Sequence, residues 1–443
     1  MKKIIYLIFY LSVVFSCTES DSTLITIYTG NIPTANSSNC LITNDSIYTL
    51  SFDSTNTSFV TLPNSVDCNY ATIQLNNINI PIYIERGKDF DLALQKKEHI
   101  ISTIFTGQGS SKNSYLNNKI FIDNKLNDST NIDSVIQIIN KRENLSYEYL
   151  GKQNFDSRFV EKEKERIHYS LLVELIKFCN GSDQPIPNEI KTAITSTFSE
   201  KRENLELASY RNFLLEYINY TSTQNIQLTD ESQKLRCQMN FITEQFTDSE
   251  IIEYCLFTIS QNYIKYHGVI EDKNCVELLL QHIKNQGNTN RLKTLSQKWQ
   301  LIAMGNPSID FTYKDRFDKS YNLASFKGQN IYIFYWSSWC KPCTQELKYL
   351  GKLKDKYNQE GMKFVAISCD KDKTAWLESI KNKRSPELQL YWEHDFAFQD
   401  FYQIRTIPRI ILLDTTGKIV NSQMPYPSNP KTTQIIDSLL GIK

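Results

Sequence analysis

The chain has 443 residues, in which 49 Lys and Arg are balanced by 49 Asp and Glu. No basic cluster stands apart from neighbouring acidic residues, so the chain lacks the positive field that a phosphate backbone requires. We therefore expect no nucleic-acid partner. The length is enough for two or three domains of roughly 100–200 residues each.

The N-terminus has the pattern of an export signal. Two lysines precede an apolar run over residues 4–15, which is shorter than the roughly twenty residues that a membrane-spanning helix needs. A retained transmembrane helix is the alternative. The segment Val14-Phe15-Ser16-Cys17 resembles a bacterial lipobox, whose cysteine receives a lipid. We predict a lipoprotein signal peptide over residues 1–17, lipidation at Cys17, and a periplasm-facing protein held at the membrane by this anchor.

The chain contains ten cysteines, and an exported protein can form and keep disulfides. If Cys17 carries a lipid, an odd number remains, so at least one thiol stays unpaired. Cys40 and Cys68 fall in the same β-rich region and could be bridged, a pairing that the sequence leaves open. Four cysteines among apolar helical residues are expected to pack in the core: Cys179, Cys237, Cys255 and Cys275.

Short alternating stretches over residues 18–110 predict a small antiparallel β domain. Apolar and polar residues alternate over 24–28 and again over 80–84, as in strands with one buried face. Clusters of turn-forming residues separate such stretches at 63–65 and 86–89.

Residues 111–305 have the spacing of long helices. Apolar residues recur on one face over 167–176, after a run of alternating charge at 161–166 that is typical of a solvated helix face. No fixed-period repeat is present. Four scattered histidines lack metal-ligand spacing, so we expect no metal site: His99, His168, His267 and His282.

After a break at residues 305–307 the pattern changes to that of an α/β sheet. An apolar run over 331–336 leads into Ser337-Ser338-Trp339-Cys340-Lys341-Pro342-Cys343, and leucines at helical spacing follow. Further on, the sequence predicts a strand over 363–368, a helix over 374–383 and a strand over 409–413. The two cysteines thus lie where a buried strand turns into a helix.

This position favours thiol chemistry at Cys340 and Cys343. Unpaired N–H groups and the positive end of a helix dipole stabilise a thiolate, which is the nucleophile in disulfide exchange. Cys340, nearer the helix start, is the predicted attacking thiol, and Cys343 is the predicted resolving thiol. A zinc site or a structural bridge is the alternative, but no second close Cys or His pair accompanies the motif.

Residues 336–346, from Trp336 through Cys340-Lys341-Pro342-Cys343 to Glu346, resemble the active-site signature of TlpA-like thiol–disulfide reductases of the thioredoxin superfamily. Similar segments upstream, at 309–312 and 322–328, and downstream, at 406–418, extend the resemblance over residues 306–443. It implies a C-terminal α/β thioredoxin-like fold. It also implies substrate contacts from Trp339, Ile407 and Pro408, with a cis Ile407-Pro408 bond beside Cys340.

The resemblance further suggests a proton acceptor. Classical thioredoxins carry a buried Asp six residues before the first cysteine, where this chain has Phe334. Glu346, three residues after Cys343, is the expected replacement, because a partly buried carboxylate near the dithiol can take up a proton. Cys369, at the end of the 363–368 strand, is expected to pack in the core rather than act as a third redox thiol.

The sequence thus predicts a multidomain protein with a signal peptide at 1–17, a β-rich domain at 18–110, a helical domain at 111–305 and a thioredoxin-like domain at 306–443. Residues 18–305 resemble the extension found on such proteins in Bacteroidetes-type bacteria, and would present or dimerise the catalytic domain. We expect a membrane-anchored periplasmic oxidoreductase that reduces disulfides of envelope proteins, draws electrons from a membrane dithiol protein and needs no cofactor. The alternative is an envelope binding or scaffold lipoprotein with a redox-inactive thioredoxin-like domain.

Overall fold

The computed structural model describes residues 22–30, 32, 39–43, 46–63, 70–76, 78–97, 100–118, 126, 131–182, 186–196, 198–223, 230–357, 359–381 and 388–442. The predicted signal peptide with Cys17 lies outside these residues, as do Cys68 and His99. The chain divides into two compact units, Met1–Thr221 and Ser222–Lys443. This division falls inside the region 111–305, which the sequence predicts as one helical domain, and the predicted domain boundaries stay predictions.

Two four-stranded sheets begin the first unit, as far as the structure describes it. Their strands are β1 (Ser22–Tyr28), β2 (Cys40–Ile42), β3 (Ile47–Thr49), β4 (Thr57–Pro63), β5 (Tyr70–Leu75), β6 (Ile78–Tyr83), β7 (Phe90–Lys97) and β8 (Ile100–Gly107). One sheet has the order β4-β1-β7-β8 and the other β3-β2-β5-β6. Side chains from both sheets share one hydrophobic core, to which Ile25 and Leu92 contribute from the first sheet and Leu41 and Ile73 from the second.

One strand pairing departs from the predicted antiparallel domain. β1 pairs with β7 in parallel, with Ile25 opposite Phe90, whereas the other pairings described in these two sheets are antiparallel. A parallel neighbour requires a crossover connection. The chain supplies one here, because it passes through the second sheet and returns from β6 to β7. The prediction of a purely antiparallel domain is therefore wrong at this pairing.

The helices that follow are α1 (Ser110–Leu116), α2 (Val135–Gly151), α3 (Ser157–Gly181), α4 (Asn188–Ser196) and α5 (Ala208–Ser222). All of them lie in the first unit except the last residue of α5. The apolar face predicted over 167–176 is buried in α3. The charged run before it is not a uniformly solvated face, because Glu163 is fully buried. Its carboxylate accepts hydrogen bonds from the Tyr70 hydroxyl at 2.9 Å and from Arg166 Nε at 2.7 Å, which offset the cost of burying the charge.

A buried lysine connects the β-rich part of the first unit to its helices. Lys112 on α1 exposes 6% of its side chain and forms ion pairs with Glu85 at 2.7 Å and Asp156 at 2.5 Å. Its ammonium also lies 4.9 Å from the ring centre of Tyr83 and 5.0 Å from that of Phe159. Both kinds of contact compensate the cation for lost hydration.

The second unit begins with α6 (Glu231–Gln245), α7 (Ser249–His267), α8 (Lys273–His282) and α9 (Gln286–Leu301). Three of these helices begin after an aspartate whose side chain accepts hydrogen bonds from first-turn N–H groups, namely Asp230, Asp248 and Asp272. Across the described residues, no helix combines the length and the apolar character that crossing a bilayer requires.

A seven-stranded sheet follows, with the order β10-β9-β13-β12-β11-β14-β15 in the described residues. Its elements are β9 (Thr312–Lys314), β10 (Ser320–Asn322), β11 (Asn330–Trp336), α10 (Lys341–Tyr357), β12 (Met362–Ser368), α11 (Lys373–Lys381), β13 (Leu388–Tyr391), α12 (Phe396–Phe401), β14 (Arg409–Leu413), β15 (Ile419–Asn421) and α13 (Pro430–Leu440). β11 pairs in parallel with β12 and antiparallel with β14. Every residue of β11 is buried, as expected for a central strand.

The cysteines outside the candidate site are free thiols where the structure describes them. Cys179, Cys255 and Cys275 are buried, as predicted, whereas Cys237 is half-buried. Cys40 Sγ lies 3.7 Å from Gln74 Oε1 and carries no disulfide. The disulfide considered for Cys40 is therefore not formed at Cys40.

Candidate active site

The central strand places the two cysteines at the edge of the sheet. β11 ends at Trp336, the segment Ser337–Trp339 turns away from it, and Cys340 directly precedes α10. The backbone N–H of Cys340 donates to the Ser337 carbonyl at 3.1 Å. The first N–H groups of a helix have no partner within that helix, so at the start of α10 they can act on a neighbouring group.

Cys340 and Cys343 form a disulfide, with their Cα atoms 5.2 Å apart. Cys340 exposes 5% of its surface and Cys343 none. The backbone N–H of Cys343 points at Cys340 Sγ from 3.2 Å. Of the two cysteines, only Cys340 can therefore meet a molecule from outside without movement of the chain.

The residues predicted to contact substrate lie around the Cys340 end of this disulfide. Cys340 Sγ is 3.7 Å from the Ile407 carbonyl oxygen, and the Ile407-Pro408 peptide is cis. Trp339 is 72% exposed. Trp339 and Ile407 both line a groove of about 860 Å³, together with Tyr335, Trp392, Phe396 and Ile404. An apolar groove of this kind can accommodate apolar side chains of an extended polypeptide.

Glu346 lies one turn beyond Cys343 and is half-buried. Its carboxylate accepts hydrogen bonds from the backbone N–H of Ser428 at 2.9 Å and from the Ser428 hydroxyl at 2.8 Å. Phe334, six residues before Cys340, is fully buried. Glu346 is thus held by Ser428 while the two cysteines are joined, a contact that sequence reasoning did not foresee.

Cys369 is a half-buried free thiol at the end of β12 and lines the same groove. Its Sγ lies 3.2 Å from the Trp336 carbonyl oxygen. Burial, and after it the negative charge of Asp370, raises the pKa of Cys369 to about 12. Because the thiolate is the nucleophile, this thiol is protonated and inert at neutral pH.

Asp370 is a buried residue of the site that sequence reasoning missed. It is 2% exposed, and its carboxylate accepts hydrogen bonds from the hydroxyls of Ser337, Ser338 and Ser368. The signal available in the sequence was a carboxylate two residues past a buried strand. The carboxyl ends of neighbouring parallel strands meet at one edge of a sheet. The sequence could therefore have predicted that Asp370 lies beside the segment that follows β11.

Comparison with known proteins gives matches in this part of the chain. Residues 328–419, which contain both cysteines, Glu346 and Ile407-Pro408, match a family model described as thioredoxin-like. The thiol–disulfide oxidoreductase ResA of Bacillus thuringiensis (strain Al Hakam) is 26% identical over 119 residues, 27% of this chain and 68% of that protein. ResA of Bacillus subtilis (strain 168) is 24% identical over 119 residues, 27% of this chain and 66% of that protein.

A solved structure is similar over a slightly larger share of the chain. The solution structure of a protein from Bacteroides vulgatus, assigned there as a thiol–disulfide oxidoreductase, is 44% identical in sequence. The similarity covers 31% of this chain and 92% of that one, with a TM-score of 0.30.

Proposed function

Because the C-terminal region of this chain is a thioredoxin-like domain with homologues among thiol–disulfide oxidoreductases, we propose that the protein reduces disulfides of other proteins through Cys340 and Cys343. The observation that carries this proposal is the Cys340–Cys343 disulfide at the start of α10. The 5% exposure of Cys340 and its place beside the Ile407 carbonyl support the proposal further.

The proposed reaction begins with the reduced pair. The Cys340 thiolate attacks one sulfur of a substrate disulfide, that S–S bond breaks, and the second substrate sulfur leaves as a thiolate that takes up a proton. Cys343 then attacks the Cys340 sulfur, loses its own proton and releases the first substrate sulfur. Two electrons pass to the substrate, and the product is the Cys340–Cys343 disulfide described above.

The start of α10 supports the first of these steps. The Cys343 N–H lies 3.2 Å from Cys340 Sγ, and the positive end of the α10 dipole points at the same sulfur. Both would stabilise a Cys340 thiolate relative to the thiol. Complete burial of Cys343 supports a first attack by Cys340 and a resolving attack by Cys343.

Glu346 is the proposed acceptor for the Cys343 proton. The Ser428 hydrogen bonds hold its carboxylate within reach of solvent while the pair is oxidised. The buried Tyr332 hydroxyl, which senses the charge of Glu346, has no hydrogen-bond partner among the described residues. Burial, and to a smaller extent the charge of Glu346, raises the pKa of Tyr332, so this hydroxyl stays protonated and can donate to a carboxylate.

We also propose a TlpA-type cellular setting for this activity. The predicted signal peptide and lipobox support a lipoprotein that faces the periplasm and is anchored through Cys17. Its substrates would be envelope proteins with disulfides, and a dithiol protein of the membrane would return electrons to Cys340–Cys343. The β-rich and helical parts of the chain would present the catalytic domain or dimerise it.

The reducing direction can be tested through the midpoint potential. Whether a Cys-x-x-Cys pair reduces or oxidises its partners depends on that potential, and about 30 mV corresponds to roughly 1.4 kcal/mol. We expect the purified protein, equilibrated in glutathione buffers and then alkylated, to give a potential near that of thioredoxin, about −270 mV. A midpoint potential of about −120 mV, typical of a strong oxidant, would contradict the reducing direction. It would not contradict thiol–disulfide exchange itself.

A further inference from the structure

We propose that Asp370 is a positioning residue for Cys340. Its buried carboxylate fastens the segment Ser337–Trp339 to the end of β12, and this keeps the reduced Cys340 sulfur at the start of α10. The inference rests on the proposed exchange function and adds to it a residue that does not touch the reacting sulfurs.

The carboxylate of Asp370 is saturated with hydrogen bonds from the segment that precedes Cys340 and from the end of β12. Oδ1 accepts from the Ser337 hydroxyl at 2.7 Å and from the Ser338 hydroxyl at 2.6 Å. Oδ2 accepts from the Ser338 backbone N–H at 2.9 Å and from the Ser368 hydroxyl at 2.7 Å. Hydrogen bonds to an ionised acceptor are short and strong, and burial strengthens them further.

Asp370 is itself fixed by the sheet. Its carbonyl accepts a hydrogen bond from Trp392 Nε1 at 2.8 Å, and its backbone N–H donates to the Ser368 hydroxyl at 3.1 Å. The preceding residue, Cys369, donates its N–H to the Trp336 carbonyl at 2.8 Å. The carboxylate therefore occupies a rigid place at the edge of the central strands, and the Ser337–Trp339 segment is held relative to it.

Ser337 links this anchor to the reactive cysteine. Its hydroxyl donates to Asp370, and its carbonyl accepts the Cys340 N–H at 3.1 Å. In the oxidised protein the disulfide also restrains Cys340. Reduction removes that covalent restraint, whereas the Asp370 hydrogen bonds remain. Asp370 therefore matters most in the reduced form, in which Cys340 must stay near the N–H of Cys343 to react as a thiolate.

Charge and position make opposite predictions for a change at this residue. A buried negative charge near Cys340 opposes thiolate formation, so removing only the charge would make Cys340 reactive at lower pH. Loosening the Ser337–Trp339 segment would withdraw the sulfur from the start of α10 and make Cys340 reactive only at higher pH. The direction of the shift therefore distinguishes a positioning role from a purely electrostatic one.

The test compares Asp370→Asn with Asp355→Asn in the reduced full chain. The side-chain amide that Asp370→Asn introduces can accept hydrogen bonds through its oxygen alone, so donors to the wild-type carboxylate would lose partners. Asp355 is an exposed carboxylate on α10 and lies outside the groove lining. Its replacement by Asn therefore removes one negative charge and leaves the hydrogen bonds of the Ser337–Trp339 segment in place. Alkylation of Cys340 by iodoacetamide is followed against pH by peptide mass analysis.

We expect Asp370→Asn to slow Cys340 alkylation at pH 7 about tenfold and to move its pH midpoint upward. Asp355→Asn should match the wild type. An unchanged or lowered midpoint in Asp370→Asn would overturn the inference. Circular dichroism of the oxidised Asp370→Asn variant checks that it folds. If Asp370→Asn fails to fold, Ser338→Ala replaces it in the test. We expect Ser338→Ala to slow Cys340 alkylation about threefold, and an unchanged rate would overturn the inference.

Insulin reduction by the wild-type protein distinguishes failure of the positioning role from failure of the proposed exchange function. If wild-type protein reduces insulin disulfides and Asp370→Asn does so with an identical pH profile, only the positioning role is overturned. If the wild type itself catalyses no exchange, both the proposed function and this inference are overturned.

Discussion

Replacement of Cys340 by Ser is expected to lower dithiothreitol-coupled reduction of insulin to the uncatalysed rate while the fold survives. The reason is that Cys340 is the only cysteine of the disulfide with any exposed surface, 5% against none for Cys343, and a hydroxyl cannot replace a thiolate as nucleophile. Turbidity of the precipitating insulin chains measures the rate, and circular dichroism checks the fold.

Cys369→Ser is the matched control for this experiment. Cys369 lines the groove beside Trp339 and Ile407, so the substitution changes a thiol in the same neighbourhood. Because burial raises the pKa of Cys369 to about 12, its thiol is protonated at pH 7 and contributes no nucleophile. We expect wild-type turnover from this variant. Normal turnover by Cys340→Ser would contradict the assignment of the attacking thiol.

Replacement of Lys112 by Met is expected to lower the unfolding free energy of the first unit by about 2–3 kcal/mol. Removing one partner from a buried ion pair costs about 3–5 kcal/mol, because the other charge stays unpaired. The lower figure allows for Asp156, whose side chain is 54% exposed. All five tryptophans lie in the second unit. An earlier urea transition should therefore appear in far-UV circular dichroism and be absent from tryptophan fluorescence.

Lys88→Met provides a matched comparison, since Lys88 pairs with the same Glu85 at 2.8 Å but exposes 50% of its side chain. An exposed pair contributes about 0–1 kcal/mol, so we expect little change in the urea transition. Equal effects of the two substitutions would contradict the importance of burial at Lys112.

The contribution of Lys112 also has a defined pH dependence. A hydrogen bond from Lys112, the largest cause, lowers the pKa of Asp156. Stabilisation from this pair is therefore complete above the unfolded-state value of about 3.9 and is lost as the pH falls through the lower folded-state value. The difference between wild type and Lys112→Met should shrink in that acidic range.

Local patterns in the sequence predicted the candidate site well where neighbours along the chain decide the structure. The apolar run before Cys340 is a central buried strand and the leucines after Cys343 lie on a helix. The α/β thioredoxin-like fold expected for the C-terminal region is confirmed by the family match over residues 328–419.

Contacts between distant residues were beyond such reasoning. Ser428 holds Glu346 from 82 positions away, and Asp370 binds Ser338 from 32 positions away. The residues around Ser428 and Asp370 in the sequence do not indicate which distant residue each of them contacts. The parallel pairing of β1 with β7 was not predicted for the same reason. Alternation of apolar and polar residues shows which face of a strand is buried but not which strand pairs with it.

The most direct test of the exchange function is a trap in the native host. A Cys343→Ser variant can form the mixed disulfide through Cys340 and cannot resolve it, so adducts should accumulate. Adducts released by dithiothreitol are identified by mass spectrometry and compared with those of a Cys340→Ser, Cys343→Ser double variant. We predict envelope proteins bound through Cys340 and absent from the double variant. Equal recovery from both variants would contradict catalysis by this pair and favour a binding or scaffold protein.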